Sequence, residues 1–214
     1  MSKRRVSFQS GSFSLEGVLS VPVGPDPAPA VLVCHPHPLY GGSMSNNVVN
    51  AVFDTLVEAR FAALKFNFRG VGESQGSFTH GLGEGQDVVA ALHLLHSLPE
   101  VDSLRIGLIG YSAGAGFAFS TCVANPQVKV LAAISPPLPL FDFTCLAACL
   151  KPKLLICGSR DDFTPSSQFL SFCETLPEPK DCQTIDGPDH FWVGYESLLA
   201  DRVRTFFTRE LSSP

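Results

Sequence analysis

Short apolar segments alternate with amphipathic segments along nearly the whole chain. Residues 30–34, 61–68 and 128–134 are almost continuous apolar runs, and helix-like stretches such as residues 86–98 separate runs of this kind. Strands buried on both faces and separated by helices are typical of a parallel sheet with helices on both of its sides. The alternation therefore predicts an α/β fold with a mostly parallel, twisted sheet of about eight strands.

Composition narrows the class of protein further. A chain of 214 residues, 45% hydrophobic and 16% charged, can bury the core of one domain, which we expect to span residues 1–214. The net charge is −5, and the only basic cluster is residues 3–5, so the chain lacks the positive surface that nucleic-acid binding requires. We expect no nucleic-acid partner.

Cysteine usage and hydropathy bear on the compartment. The seven cysteines are odd in number and fit no zinc-binding spacing, so we expect reduced thiols rather than a disulfide framework. No apolar run is long enough to span a bilayer, and the first residues lack the apolar stretch of a secretion signal. These features predict a cytoplasmic protein with no membrane span.

One apolar strand, residues 105–110, runs directly into Gly-Tyr-Ser-Ala-Gly and then into small, helix-compatible residues. A serine hydroxyl needs a base to become a strong nucleophile, and a tight turn between strand and helix exposes it to that base. Gly110 and Gly114 have no Cβ, which permits the turn and close packing of the helix. The motif alone occurs by chance in unrelated chains, but its position between strand and helix favours Ser112 as a nucleophile.

An acid and a base follow two later strands. The strand at residues 153–157 leads into a loop that contains Asp161 and Asp162, and His190 follows the last strand, residues 182–185. The carboxyl ends of parallel strands lie at one edge of a sheet, so these side chains can meet Ser112 there. The chain order Ser, Asp, His is the one that a nucleophile elbow in such a sheet requires.

Together these motifs resemble the α/β-hydrolase superfamily over essentially the whole chain. The resemblance is nearest to the small serine hydrolases without a lid that are related to the dienelactone hydrolase and short-chain esterase groups. Dienelactone hydrolases carry cysteine at the elbow, where this chain has Ser112, so we do not infer that this chain acts on their substrate. Besides the elbow, the resemblance rests on Cys34-His35-Pro36-His37-Pro38, Tyr40-Gly41-Gly42, the segment 67–74, the acid loop 158–165 and Asp189-His190-Phe191.

The resemblance implies a role for each residue of the site. Ser112 would attack an acyl carbonyl, His190 would move the proton, and an aspartate would orient His190. Asp161 fits the superfamily's Gly-x-x-Asp spacing better than Asp162 does. The backbone N–H of Ala113 would stabilise the oxyanion, together with that of His37 or, as a second choice, Leu39.

No cofactor is implied. His35 and His37 have the two-residue spacing of a metal pair, but no third ligand cluster accompanies them, so we expect no metal.

No segment is long enough to form a lid, since only residues 135–140 and a short predicted helix at 141–150 fill that space. We expect an open cleft and a small-molecule acyl substrate, as an ester with a small to medium acyl group. The same triad serves thioesterases and amidases or peptidases, and a non-catalytic binding protein and a homodimer also stay open. The pocket is predicted to be apolar, formed by Leu39, Tyr40, Pro137, Leu138, Phe141, Phe143 and Trp192.

Overall fold

A computed structural model describes residues 2–211 and arranges them around an eight-stranded sheet. The strand order is β1-β2-β4-β3-β5-β6-β7-β8, in which β3 to β8 are parallel and β1 and β2 pair in the antiparallel sense. This confirms the predicted mostly parallel sheet. The strands are β1 (Ser2–Ser10), β2 (Phe13–Val21), β3 (Ala28–Cys34), β4 (Ala62–Phe66), β5 (Val101–Tyr111), β6 (Val128–Ile134), β7 (Lys153–Gly158) and β8 (Lys180–Ile185).

Five helices cover the two faces of the sheet and bury it in two apolar clusters. Helices α1 and α5 pack on one face, and α2, α3 and α4 pack on the other. None of the helices described within residues 2–211 is long and apolar enough to cross a membrane. The helices are α1 (Asn47–Glu58), α2 (Leu82–Ser97), α3 (Ala113–Cys122), α4 (Ser166–Thr175) and α5 (Glu196–Leu211).

Helix α2 begins earlier than predicted, at Leu82 instead of residue 86. The Glu84 carboxylate accepts hydrogen bonds from the backbone N–H groups of Thr79, at 3.0 Å, and Gly81, at 2.7 Å. These bonds cap the helix end and pair two half-buried backbone donors. The glycines of this segment concealed the helix start, because glycine normally disfavours a helix.

The helix predicted at residues 141–150 is instead one short 3-10 turn, Thr144–Ala148. The buried side chain of the turn, Leu146, and those of the two residues that flank it, Phe143 and Cys149, recur every three residues. That spacing matches the 3.0 residues per turn of a 3-10 helix and not the 3.6 of an α-helix. The prediction was wrong because three buried positions are too few to distinguish these two periods.

A buried ion pair joins the loop after β4 to helix α2. The Arg69 guanidinium donates to the Asp87 carboxylate through Nε, at 3.1 Å, and a terminal nitrogen, at 2.7 Å, and the Arg69 backbone N–H also donates to Asp87. The Asp87 side chain is completely buried and that of Arg69 nearly so. Every hydrogen bond in this set involves a charged group, so losing one partner leaves the other desolvated and unpaired.

We expect Asp87→Asn to lower the free energy of unfolding by about 3–5 kcal/mol, because the Arg69 charge would stay buried without its counterion. Denaturant titration measures the change. The matched control is Asp201→Asn, which removes an exposed partner of Arg204 and should change stability by about 0.5 kcal/mol or less. Equal effects of the two substitutions would contradict the importance given to the buried pair.

Candidate active site

Ser112 lies in a strained turn between β5 and α3. Its φ of +53° and ψ of −127° are unusual for a residue with a side chain. Two backbone hydrogen bonds hold the turn: the Ser112 N–H donates to the Ile134 carbonyl on β6, at 2.8 Å, and the Ala115 N–H donates to the Ser112 carbonyl, at 2.9 Å. Backbone strain of this kind persists where surrounding structure fixes it, often at functional sites.

Two glycines make the turn sterically possible. A Cβ atom on Gly110 would overlap the backbone of Ala115, and one on Gly114 would overlap the carbonyl oxygens at the end of β3. The interpretation of both glycines as positions of close packing is therefore confirmed. The amino end of α3 consequently lies directly against the loop that follows β3.

The structure brings Ser112, His190 and Asp161 together. Ser112 Oγ lies 2.8 Å from His190 Nε2, and His190 Nδ1 lies 2.9 Å from both oxygens of Asp161. The buried Asp161 carboxylate also accepts the N–H groups of Phe163 and Thr164, whereas Asp162 is exposed. The Nδ1–H of His190 donates to Asp161, so the Nε2 lone pair faces the serine hydroxyl.

Tyr111 holds the histidine loop and was missed by the sequence reasoning. Its buried hydroxyl donates to the His190 carbonyl at 2.8 Å. Burial and the nearby charges of Asp161 and Asp189 raise the pKa of Tyr111, so the hydroxyl keeps the proton that it donates. The sequence did contain a signal for this role, because Tyr111 is the last residue of a buried strand. A buried phenol hydroxyl normally requires a hydrogen-bond partner.

The His35 side chain is structural. Its Nδ1–H donates to the Pro36 carbonyl at 2.6 Å, and its Nε2 accepts the Phe68 N–H at 3.1 Å. Burial lowers the pKa of His35 from 6.5 to about 4, so the imidazole is neutral near pH 7. Both ring nitrogens are engaged, which argues against the alternative of a His35/His37 metal pair.

The oxyanion donors predicted from the sequence are backbone N–H groups of Ala113 and of the loop after β3. The Ala113 N–H is the first of helix α3 and therefore has no partner within the helix. The Leu39 N–H already donates to His37 Nδ1 at 3.2 Å, which corrects the second choice of Leu39 as an oxyanion donor. Pro36 and Pro38 have no N–H to offer, so the backbone N–H of His37 is the loop candidate that remains from the sequence analysis.

A cleft of about 530 Å³ opens over Ser112. Of the predicted pocket residues, Tyr40, Pro137 and Phe141 line it. The other lining residues are Pro36, His37, Gly41, Gly42, Asn46, Tyr111, Ser112, Ala113, Leu140, Phe163, His190 and Phe191.

Other pocket assignments from the sequence were wrong. Trp192 is fully buried in the cluster under α1 and α5, where its indole N–H donates to the Ser135 hydroxyl. Leu138 and Phe143 pack into the cluster on the opposite face of the sheet, and the Leu39 side chain is mostly exposed. These residues are neighbours of the cleft along the chain, but their side chains point elsewhere.

The cleft is apolar and carries little charge. Among the described residues that line it there is no lysine, arginine, aspartate or glutamate. Burial lowers the pKa of His37, which favours its neutral form. An apolar wall with a few polar atoms around Ser112 suits an uncharged organic ligand.

Comparison with known proteins agrees with this fold. The family model of the X-Pro dipeptidyl-peptidase (S15) family matches residues 11–148. An uncharacterized protein from Rickettsia prowazekii is 35% identical over 197 residues, which are 88% of this chain and 82% of the relative. An uncharacterized protein from Escherichia coli is 26% identical over 190 residues, and the match spans only 59% of that protein.

Two solved structures are similar over almost the full chain. An α/β serine hydrolase homologue from Coxiella burnetii has a TM-score of 0.87 at 30% identity and covers 96% of this chain and 97% of its own. An α/β serine hydrolase without a lid from Xanthomonas campestris has a TM-score of 0.88 at 27% identity, covering 100% and 97% respectively. The predicted α/β-hydrolase fold without a large lid is confirmed.

The neutral, buried His35 predicts a pH dependence of stability. Its folded pKa of about 4 lies below the ordinary 6.5, so the unfolded chain takes up the proton first as the pH falls. The contribution of His35 to the free energy of unfolding is therefore fully present well above pH 6.5. As the pH falls to 4, this contribution decreases by about 3 kcal/mol. We expect His35→Gln to reduce this pH-dependent loss in denaturant titrations.

The control for this experiment is His93→Gln, which changes an exposed histidine on α2 and should keep the wild-type pH dependence. The comparison uses the change between pH 7 and pH 4 for each protein, not the absolute stability. An unaltered pH dependence in His35→Gln would contradict the assignment to His35.

Proposed function

Because the chain belongs to the X-Pro dipeptidyl-peptidase (S15) family and has the α/β-hydrolase fold, we propose that it is a serine hydrolase that cleaves carboxylic esters of small to medium acyl groups. The observation that carries the proposal is the hydrogen-bonded series Ser112–His190–Asp161, whose first two members line an apolar cleft. Hydroxyl, base and acid already have the contacts that acyl transfer requires.

In the proposed reaction, Ser112 Oγ attacks the ester carbonyl carbon while His190 Nε2 takes the hydroxyl proton. Asp161 stabilises the imidazolium that forms and keeps Nδ1 protonated. The C–O bond to the alcohol then breaks, and His190 returns the proton to the leaving oxygen. Water repeats these steps on the acyl-enzyme and releases the carboxylic acid, which regenerates Ser112.

The carbonyl oxygen becomes negatively charged in the tetrahedral intermediate. We assign its stabilisation to the backbone N–H groups of Ala113 and His37. Fixed donors of this kind are most effective where water is scarce, because they need no reorganisation during the reaction. The bonds that keep Tyr40 and Gly42 folded back on the His37 carbonyl, both 3.1 Å, stiffen the loop.

The family description makes dipeptide release the second candidate function. An enzyme that removes an N-terminal dipeptide must bind the substrate's α-ammonium group, which normally requires a carboxylate. The described lining of the cleft contains no aspartate or glutamate. Asp161 itself is covered by His190 and backbone N–H groups. A neutral ester needs no such ion pair, and this difference favours the ester.

The first test is labelling with a fluorophosphonate, followed by turnover of p-nitrophenyl esters, a thioester and an X-Pro p-nitroanilide. We expect labelling and ester turnover in the wild type, and neither in Ser112→Ala. Labelling that survives Ser112→Ala would refute the nucleophile, and faster cleavage of the anilide than of every ester would favour the peptidase.

The acid is tested by a matched pair of substitutions. Asp161→Asn should lower kcat by roughly 10⁴-fold, because an amide at this position favours the wrong tautomer of His190. Asp162→Asn changes the neighbouring exposed carboxylate and should leave kcat within about twofold. The reverse order of effects would move the role to Asp162.

Tyr111 is proposed as a positioning residue that acts through His190. Tyr111→Phe keeps the ring and removes one hydrogen bond of about 1 kcal/mol, so we expect kcat to fall about fivefold at unchanged KM. Tyr40→Phe removes an exposed hydroxyl from the same cleft and is the control. A change confined to KM would indicate that Tyr111 contacts the substrate instead.

A further inference from the structure

A notch in helix α3 receives the ring of Phe141. A Cβ atom added to Gly116 would overlap this ring, so the ring lies directly against the helix backbone. Phe141 also packs edge-on against Phe117 of the same helix, with 5.4 Å between ring centroids. Phe141 is also one of the residues that line the cleft. The absence of a side chain at Gly116 therefore determines how far Phe141 extends into the cleft.

The two ends of the cleft can be assigned from the proton transfer. The leaving oxygen must take its proton from His190, so the alcohol part of an ester lies near that imidazole. Phe163 and Phe191 pack there, with ring centroids 4.6 and 5.7 Å from His190. The acyl chain leaves the carbonyl carbon in a different direction from the alcohol, and Phe141, which lies against α3, is the lining residue that we assign to it.

We propose that Gly116 and Phe141 together set the longest acyl chain that the enzyme accepts. Gly116 allows the Phe141 ring to pack against α3, and the ring forms the end wall of the acyl pocket. The inference rests on the proposed ester hydrolysis, because it uses the same attack by Ser112. It adds a specificity determinant that does not touch the reacting atoms.

Gly116→Ala is the direct test. Its backbone is helical and has no positive φ, so alanine suits the helix, and the new methyl group can be accommodated only if the Phe141 ring moves away from α3. Because Phe141 also lines the cleft, a displaced ring changes the space that is left for a long acyl chain. Phe141→Ala has the opposite effect, because it removes the wall.

The experiment measures kcat/KM for p-nitrophenyl acetate, butyrate, hexanoate and octanoate. Relative to wild type, Gly116→Ala should hydrolyse the acetate within about twofold and the longest accepted ester roughly tenfold or more slowly. Phe141→Ala should extend the range to longer chains. The double variant Gly116→Ala/Phe141→Ala should behave like Phe141→Ala, because without the ring the methyl group displaces nothing.

Gly85→Ala is the matched control, since this helical glycine of α2 contacts Thr121 instead of the cleft. Its chain-length profile should equal that of the wild type. The inference is overturned if Gly116→Ala lowers all four esters by one factor, or if the Phe141→Ala profile equals the wild-type profile.

A second readout separates this inference from the proposed function. The rate at which Ser112 is labelled is compared for two fluorophosphonates that differ only in a short or long alkyl chain on phosphorus. If no ester is hydrolysed but Gly116→Ala still slows the long-chain reagent selectively, the proposed function fails and the pocket assignment stands. Ester hydrolysis without chain-length selection in any variant overturns the pocket assignment alone.

Discussion

The close approach of helix α3 to the end of β3 is the contact on which the site depends. It is possible because Gly114 carries no side chain where α3 meets the carbonyls of Cys34 and His35, and Gly110 in the same way lets the end of β5 lie against the backbone of Ala115. The same approach places the amino end of α3, where Ala113 lies, against the loop that carries His37, and Ser112 has its positive φ in the turn just before it. Close packing at these two glycines thus places the proposed nucleophile and the Ala113 N–H beside the loop that carries His37.

The acid and histidine loops are held to the sheet by hydrogen bonds outside the reacting atoms. The Tyr111 hydroxyl binds the backbone of His190, and the Thr164 hydroxyl donates to a carbonyl in the loop after β6, at 2.9 Å. Each such bond adds only about 1 kcal/mol to stability. Their larger effect is geometric, because a base displaced by a fraction of an ångström accepts the serine proton much less efficiently.

Much of this arrangement could be predicted from the sequence. The buried strands were evident because a short apolar run between two helices is most often a strand covered on both faces, and the residues at the ends of β5, β7 and β8 followed from parallel topology. Trp192 could not be placed, since its side-chain direction depends on a backbone with φ of +60°. Leu39 was a wrong choice of donor for a similar reason, because the bond from its N–H to the His37 imidazole depends on how the loop folds and not on the local sequence.

Family membership alone does not identify the substrate, and the described lining of the cleft supplies the missing constraint. The triad geometry serves esters, thioesters and amides alike, so the choice falls to the groups that bind the rest of the molecule. A substrate with a free ammonium or carboxylate would lose its hydration on entering, and the described lining offers no oppositely charged side chain in exchange. That desolvation cost opposes binding before chemistry begins. A neutral apolar acyl chain meets no such cost, and its burial against aromatic side chains adds favourable free energy with each methylene, up to the wall at Phe141.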